Sequence, residues 1–89
     1  MGFSAVIGKS LAETAVRWSV ADGTLMMEAK IEGRKTVRLF DANGTLLLTK
    51  SFDGEFCEIR MDKLRQNSFV IGLVELNGRI LKKMKVHVN

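Results

Sequence analysis

The spacing of turn-forming dipeptides constrains this chain more than any other feature of its sequence. An Asp-Gly, Glu-Gly or Asn-Gly pair begins at positions 22, 32, 43 and 53, and another begins at position 77. Asn or Asp before glycine supplies the positive φ angles that tight type I′ hairpin turns require. Such regular spacing predicts an antiparallel all-β domain. The residues expected in hairpin turns are Asp22, Gly23, Asn43, Gly44, Asp53, Gly54, Asn77 and Gly78.

The runs between the turns alternate apolar and polar residues, as strands with one buried face do. Residues 69–76 differ because they are almost continuously apolar, which predicts a central strand covered on both faces. Gly72 within that run predicts a bulge or a close approach of another group. The expected core consists of Val16, Trp18, Val20, Leu25, Met27, Ile31, Val37, Leu39, Leu46, Leu48, Ile59, Met61, Phe69, Ile71, Leu73, Ile80 and Met84.

The chain has 89 residues, of which 46% are hydrophobic, and this suffices for one core and not for two. We predict a single domain over residues 1–89, an immunoglobulin-like β-sandwich of about seven strands. Met1, with or without Gly2, is interpreted as a residue added for expression. Two segments each have two possible secondary structures. Residues 10–18 form a strand or a short helix that starts from an S-x-x-E capping box, and residues 62–67 form a loop or one helical turn.

The residue types that carry catalysis or bind metals are scarce. Cys57 is the only cysteine, so an internal disulfide and zinc sites of several cysteines are excluded, and its apolar neighbours predict a buried thiol. His87 is the only histidine, which leaves it without a second ligand and predicts a solvated strand end. We therefore predict no enzyme, no catalytic residue, no metal site and no cofactor.

Two motif-like segments fail on spacing. Gly8, Lys9 and Ser10 resemble the end of a phosphate-binding loop, but that motif needs glycine where Phe3 stands. Residues 41–44 resemble part of a calcium loop, but Lys50 occupies the position of its last glutamate. Carboxylate pairs for glycosidase chemistry are no better supported, because any ten acids offer such pairs. The two examples are Glu55 with Glu58 and Asp53 with Asp62.

The charge balance is mildly basic, with 14 Lys and Arg against 10 Asp and Glu. It leaves open a nucleic-acid-binding β-barrel in which exposed aromatics stack on bases and cations contact phosphates. The candidate residues for nucleic-acid binding are Phe52, Phe56, Arg60 and Arg65. Trp18 is expected to fill the core and not to serve as a stacking surface for a sugar. No apolar run approaches the ~18 residues of a membrane span.

Several segments between Leu25 and the end of the sequence match one known pattern. Residues 36–44 (TVRLFDANG) resemble a "V-x-I-x-D-x-x-G" hairpin, residues 59–64 (IRMDKL) an "I-D-L-S-x-L" segment, and residues 67–71 (NSFVI) a "G-x-Y-x-V" segment. Asn77 and Gly78 with residues 83–86 (KMKV) resemble the closing hairpin and its "K-x-V" end. The pattern is that of C-terminal sorting domains of the type IX (Por) secretion system. It is shared by related small secreted β-sandwich proteins of Bacteroidetes of unknown function.

This resemblance implies an immunoglobulin-like sandwich that is secreted or attached to the cell envelope. The "P-N-P" entry of sorting domains is missing because the chain has no proline, which favours the small secreted sandwich. The expected function is protein binding by strand addition or by a loop-end surface, with an unidentified partner. The first alternative is a sorting signal in which Lys82, Lys83, Lys85 and Val86 meet the export machinery. A homodimer through an edge strand also stays open.

Overall fold

A computed structural model describes residues 15–88, and within them the chain forms an all-β sandwich of seven strands. This confirms the predicted fold class. Residues 1–14 and 89 lie outside the described residues, and with them the interpretation of Met1 and Gly2 and most of the segment 10–18. The strands are β1 (Val16–Ala21), β2 (Thr24–Ala29), β3 (Lys35–Phe40), β4 (Leu46–Phe52), β5 (Phe56–Arg60), β6 (Phe69–Leu76) and β7 (Arg79–His87), with a 3₁₀ turn at Asp62–Leu64.

The strands form two antiparallel sheets that pack face to face. The three-stranded sheet has the order β1-β2-β5, and the four-stranded sheet has the order β4-β3-β6-β7. The chain therefore crosses between the sheets after β2, after β4 and after β5. This order matches an immunoglobulin-like sandwich in which the smaller sheet lacks the strand beside β5 and the other sheet gains β4 beside β3.

Two hairpins close with the predicted turn type. Asp22 and Gly23 between β1 and β2 have φ angles of 53° and 74°, and Asn77 and Gly78 between β6 and β7 have 53° and 80°. Two successive positive φ angles define the type I′ turn, whose twist matches that of the strands it joins. Because these angles suit only asparagine, aspartate and glycine without strain, the two dipeptides hold the register of both hairpins.

The β3–β4 hairpin turns differently. The Asp41 carbonyl accepts a hydrogen bond from the Gly44 amide at 3.0 Å, and the Asp41 Oδ1 accepts from the Asn43 and Thr45 amides at 2.9 Å. The central residues Ala42 and Asn43 have negative φ angles and only the last residue, Gly44, has a positive φ, 87°, so the turn is of type I and not type I′. The aspartate side chain stabilises it by substituting for backbone acceptors.

The hairpin predicted at Asp53 and Gly54 is wrong. These residues join β4 in the four-stranded sheet to β5 in the three-stranded sheet, so they form a corner between sheets. Glu32 and Gly33, which are not among the residues expected in hairpin turns, form another corner between the sheets, from β2 to β3. A turn dipeptide predicts that the chain reverses its direction. It does not predict whether the strand after the turn pairs with the strand before it.

The core lies between the sheets and includes eight of the predicted residues. Val16, Leu25, Met27, Val37, Leu39, Ile59, Met61 and Met84 are buried, whereas Trp18, Ile31 and Leu48 are partly buried against them. Ala29, Cys57, Leu64, Val70, Val74 and Val86 are also buried there. The 3₁₀ turn contributes Leu64, which is how residues 62–67 become part of the fold.

Six predicted core positions are wrong, most of them because of strand register. In β6 the buried residues are Val70, Gly72 and Val74, so Phe69, Ile71 and Leu73 face outward. Bulges shift Ile80 to the row of Glu75 and Leu46 to the row of Phe40, and both leave the core side. Val20, at the turn end of the edge strand β1, is exposed as well. The exposed or half-exposed residues in error are Val20, Leu46, Phe69, Ile71, Leu73 and Ile80.

One lysine is fully buried in this core. The Lys35 ammonium donates hydrogen bonds to the carbonyl oxygens of Ile31 at 2.6 Å, Gly33 at 2.8 Å and Asp53 at 3.4 Å. It also lies 5.1 Å from the centroid of the Phe52 ring. The Ile31 and Gly33 carbonyls belong to the crossover from β2 to β3, and the Asp53 carbonyl belongs to the crossover from β4 to β5. Lys35 therefore ties the two crossovers together, and a buried charge is tolerated because its donors are satisfied.

Candidate interaction surface

The solvent side of the four-stranded sheet carries an apolar patch. Alternation puts Phe40 of β3 and Phe69, Ile71 and Leu73 of β6 on this side, and each of the four is half-buried. Phe40 and Ile71 lie opposite each other on neighbouring strands. None of the four packs against the buried cluster between the sheets. Apolar side chains grouped on a solvent-facing sheet mark an interaction site more often than scattered ones do.

Cations line the β7 edge of this patch. Lys83 lies opposite Leu73 and Lys85 opposite Ile71, and both lysines are exposed. The Lys85 ammonium lies 4.3 Å from the centroid of the Phe69 ring, a cation–π distance. We call the six residues Phe40, Phe69, Ile71, Leu73, Lys83 and Lys85 the outer patch. Its apolar centre and charged rim have the composition typical of a protein-binding surface.

An ion pair interrupts the patch on its β3 side. The Arg38 guanidinium hydrogen-bonds the Glu75 carboxylate, and their side chains are 40% and 16% exposed. Arg38 lies opposite Leu73 in the register of β3 and β6. Because the carboxylate is largely covered and already paired, the free charge of this surface is that of Lys83 and Lys85.

The four residues predicted to meet a partner are split between the two sides of β7. Lys83 and Lys85 lie in the outer patch, as just described. Val86 is 1% exposed and belongs to the core. Lys82 points to the inner side, where its ammonium donates to the Val16 carbonyl at 3.3 Å and lies 5.1 Å from the centroid of the Trp18 ring. Trp18, which was expected to fill the core, is partly buried under this lysine and packs against the core from its side.

Lysines of the four-stranded sheet also reach the edges of the other sheet. Lys82 of β7 holds the Val16 carbonyl of edge strand β1, and Lys50 of β4 donates to the Glu58 carbonyl of edge strand β5 at 2.6 Å. Each lysine occupies an acceptor that an added strand would need. Lysines are one of the devices by which proteins protect their sheet edges.

The solvent side of the three-stranded sheet forms a groove of about 450 Å³. Arg17, Met26, Glu28, Phe56 and Glu58 line it, and the Phe56 residue is 68% exposed. Two acids and one arginine face it, so it lacks the cationic rim of the outer patch.

The aromatic platform predicted for nucleic acid does not form. Phe52, on the four-stranded sheet, packs against the core beneath the Lys35 ammonium. Phe56 lies on the solvent side of the three-stranded sheet, so the two rings do not share a surface. Arg60 and Arg65 are exposed, and both lie near the Asp62 carboxylate, at 3.7 and 3.9 Å. The sequence could not separate Phe52 from Phe56, because they lie on strands of different sheets.

Within residues 15–88 no three metal-ligating side chains come together. His87 is exposed at the end of β7, as predicted. Asp53 and Asp62 lie at opposite ends of β5, so this carboxylate pair is not brought together. No helix among the described residues has the length and hydropathy to cross a membrane.

Cys57 is buried on the inner side of β5, with 4% of its surface exposed. Burial raises the pKa of its thiol above the ordinary value, the nearby Lys50 ammonium partly opposes this rise, and Glu58 adds to it. We expect a disulfide reagent at pH 8 to label Cys57 at least about 100-fold more slowly in the folded protein than in denaturant, because labelling requires opening and a thiolate. Equal rates in both states would show that the thiol is accessible.

No family model, curated protein or solved structure matches this chain.

Proposed function

We propose that this chain is an exported, non-catalytic β-sandwich domain that binds a protein partner at the cell envelope through the outer patch. The export and envelope parts come from the resemblance of residues 36–86 to small secreted sandwiches and type IX sorting domains. The binding part is carried by one observation. Phe40, Phe69, Ile71 and Leu73 stand on the solvent side of the four-stranded sheet and do not pack against the core.

The strand edges of the smaller sheet fit this role less well. Lys50 and Lys82 already occupy acceptors on β5 and β1, so a partner strand would have to displace them. A face of half-buried apolar side chains needs no such displacement, because its water is released on contact and no internal hydrogen bond breaks.

The test compares capture of envelope proteins from the source cells by the wild-type domain and by Ile71→Asp. A charge at the centre of the patch is expected to reduce capture of the specific partner at least tenfold. Because Ile71 is half-buried in a central strand, the free energy of unfolding should fall by about 1–2 kcal/mol, and circular dichroism checks that the variant is folded at the assay temperature. Met26→Asp, on the outer side of the other sheet, is the matched control. Equal capture by Ile71→Asp and by the wild type would contradict the proposal.

The sorting-signal alternative makes use of the same lysines. Deleting the last strand cannot test it, because β7 supplies Met84 and Val86 to the core and the truncated domain would not fold. Lys83→Glu with Lys85→Glu reverses the exposed charge and leaves the core intact. If the domain is a sorting signal, a tagged parent carrying both changes should stay inside the cell. Unchanged export would leave protein binding as the better explanation.

Nucleic acid is the competing ligand for the outer patch, since Phe40 and Phe69 could stack on bases and Lys83 and Lys85 could contact phosphates. The half-buried Ile71 and Leu73 between them favour a protein, because aliphatic side chains offer no stacking surface. Binding of a single-stranded oligonucleotide at about 50 mM salt that weakens steeply towards 200 mM would favour nucleic acid instead.

A further inference from the structure

The four edge strands of the sandwich are protected to different degrees. Lys82 and Lys50 hold carbonyls of β1 and β5, as described above. Edge strand β4 carries a bulge at Leu47, where the pairing with β3 shifts by one residue. A bulge bends a strand and interrupts the regular row of backbone groups that another strand would pair with.

Edge strand β7 has the longest undisturbed segment of the four edges. Its own bulge lies at Leu81, and from Lys82 to His87, six residues, its pairing with β6 continues without a shift. The corresponding segment of β4, Leu48 to Phe52, has five residues. Among residues 15–88 no strand pairs with the other side of the β7 segment. The segment is therefore the longest uninterrupted row of edge residues that neither a bulge nor a lysine from the facing sheet disturbs.

The direction of the backbone groups follows from the ladder. The Val88 amide donates to the Ser68 carbonyl at 2.9 Å, so the pairs with β6 alternate from that point. Met84 and Val86 then turn their N–H and C=O groups to β6. Lys83, Lys85 and His87 turn theirs away from the sheet, where an added strand would meet them.

The same three residues present their side chains on the solvent side of the sheet, because Met84 and Val86 point into the core. Lys83 and Lys85 lie about 7 Å apart, the two-residue repeat of a strand. The Lys85 ammonium is held over Phe69, so it lies across the sheet and not over the open edge. A strand added to β7 would place alternate side chains beside the stems of Lys83 and Lys85, and the Lys85 ammonium would leave the Phe69 ring to pair with an acid there.

We propose that the β7 edge accepts an extended segment of a partner protein with acidic side chains at alternate positions and apolar side chains between them. This deepens the proposed function and rests on it. Backbone hydrogen bonds to Lys83, Lys85 and His87 supply affinity, and acids paired with Lys83 and Lys85 supply selectivity. The intervening apolar side chains lie beside Met84 and Val86 at the rim of the core.

A second copy of this chain fits the same edge poorly. Antiparallel pairing of two β7 strands would set Lys83 and Lys85 of one copy beside the same lysines of the other. Like charges directly opposite each other destabilise a sheet pair. The charge pattern thus favours an acidic partner segment over a homodimer at this edge.

The probe is a blocked synthetic peptide of about nine residues that alternates glutamate and valine, with a lysine–valine peptide of the same length as control. We expect the acidic peptide to bind at low salt and to bind less tightly at about 200 mM salt than at about 50 mM, because salt screens the pairs between lysine and glutamate. The amides of Lys83, Lys85 and His87 should become protected from hydrogen exchange. Lys83→Glu with Lys85→Glu should weaken binding at least tenfold, and Lys63→Glu on the 3₁₀ turn should not.

A backbone test separates strand addition from simple charge attraction. Lys85→Pro removes an N–H that points away from the sheet and keeps the pairing with β6, which proline at an edge tolerates. It should weaken binding more than Lys85→Ala does. The inference is overturned if the acidic peptide does not bind, if both peptides bind alike, or if the protected amides lie elsewhere. These outcomes leave the Ile71→Asp experiment intact, so failure of the edge and failure of the outer patch are distinguishable.

Discussion

Replacing Lys35 by alanine is expected to lower the free energy of unfolding by about 3–5 kcal/mol. The lysine is fully buried, so the change removes the packing of its aliphatic stem and leaves three carbonyls without their donor. A domain of this size has a total stability of only about 5–15 kcal/mol, so the variant should be close to unfolding at room temperature. Urea denaturation followed by Trp18 fluorescence measures the change.

Two further variants isolate the hydrogen bonds of Lys35. Lys35→Met keeps most of the stem and removes the ammonium, and it should cost about 1–3 kcal/mol because the carbonyls remain buried. Lys63→Met changes an exposed lysine and should alter stability by less than about 0.5 kcal/mol. If Lys35→Met proved as stable as the wild type, the ammonium would not hold the two crossovers together.

Replacing Gly72 by valine should destabilise the domain by about 3 kcal/mol or more. A Cβ at position 72 would lie 3.1 Å from Cγ of Met84 and 3.3 Å from Cδ2 of Leu39, and the added methyl groups of valine would enter the same space. Gly72→Ala should cost less, about 1 kcal/mol, because Met84 can adjust its flexible side chain. Thermal unfolding of both variants measures the difference.

A double variant checks that crowding is the cause. Met84→Ala alone leaves a cavity, and Gly72→Val alone overfills the same space. The combined variant should therefore lose less free energy of unfolding than the two single variants lose together, by about 1 kcal/mol or more. Strict additivity would indicate that Gly72 is needed for its backbone and not for the space above it.

The fold class could be predicted from the sequence because turn dipeptides and strand alternation depend only on residues that are close together in the chain. Turn dipeptides at Asp22 and Asn77 set two hairpins, and the alternation in β2, β3 and β5 pointed to the correct buried face. Gly72 was expected at a bulge or a close approach, and the structure shows the close approach. What could not be predicted depends on pairing between distant segments.

The outer patch shows the limit most clearly. Residues 69–76 are apolar at nearly every position, so periodicity cannot tell which side faces the core. The choice of Val70 and Val74 over Ile71 and Leu73 follows from pairing with β3 and β7. The burial of Lys35 could not be predicted for a related reason. One of its acceptors, the Asp53 carbonyl, is 18 residues away in the sequence, and only the fold brings it to the ammonium.

The most direct test of protein binding through the outer patch is photo-crosslinking in the source cells. A photo-reactive residue is placed at position 73 in one variant and at position 26, on the outer side of the other sheet, in a second. We expect a discrete adduct with one partner from position 73 and none from position 26, and Ile71→Asp should abolish it. No adduct from position 73, or the same adducts from both positions, would contradict the account.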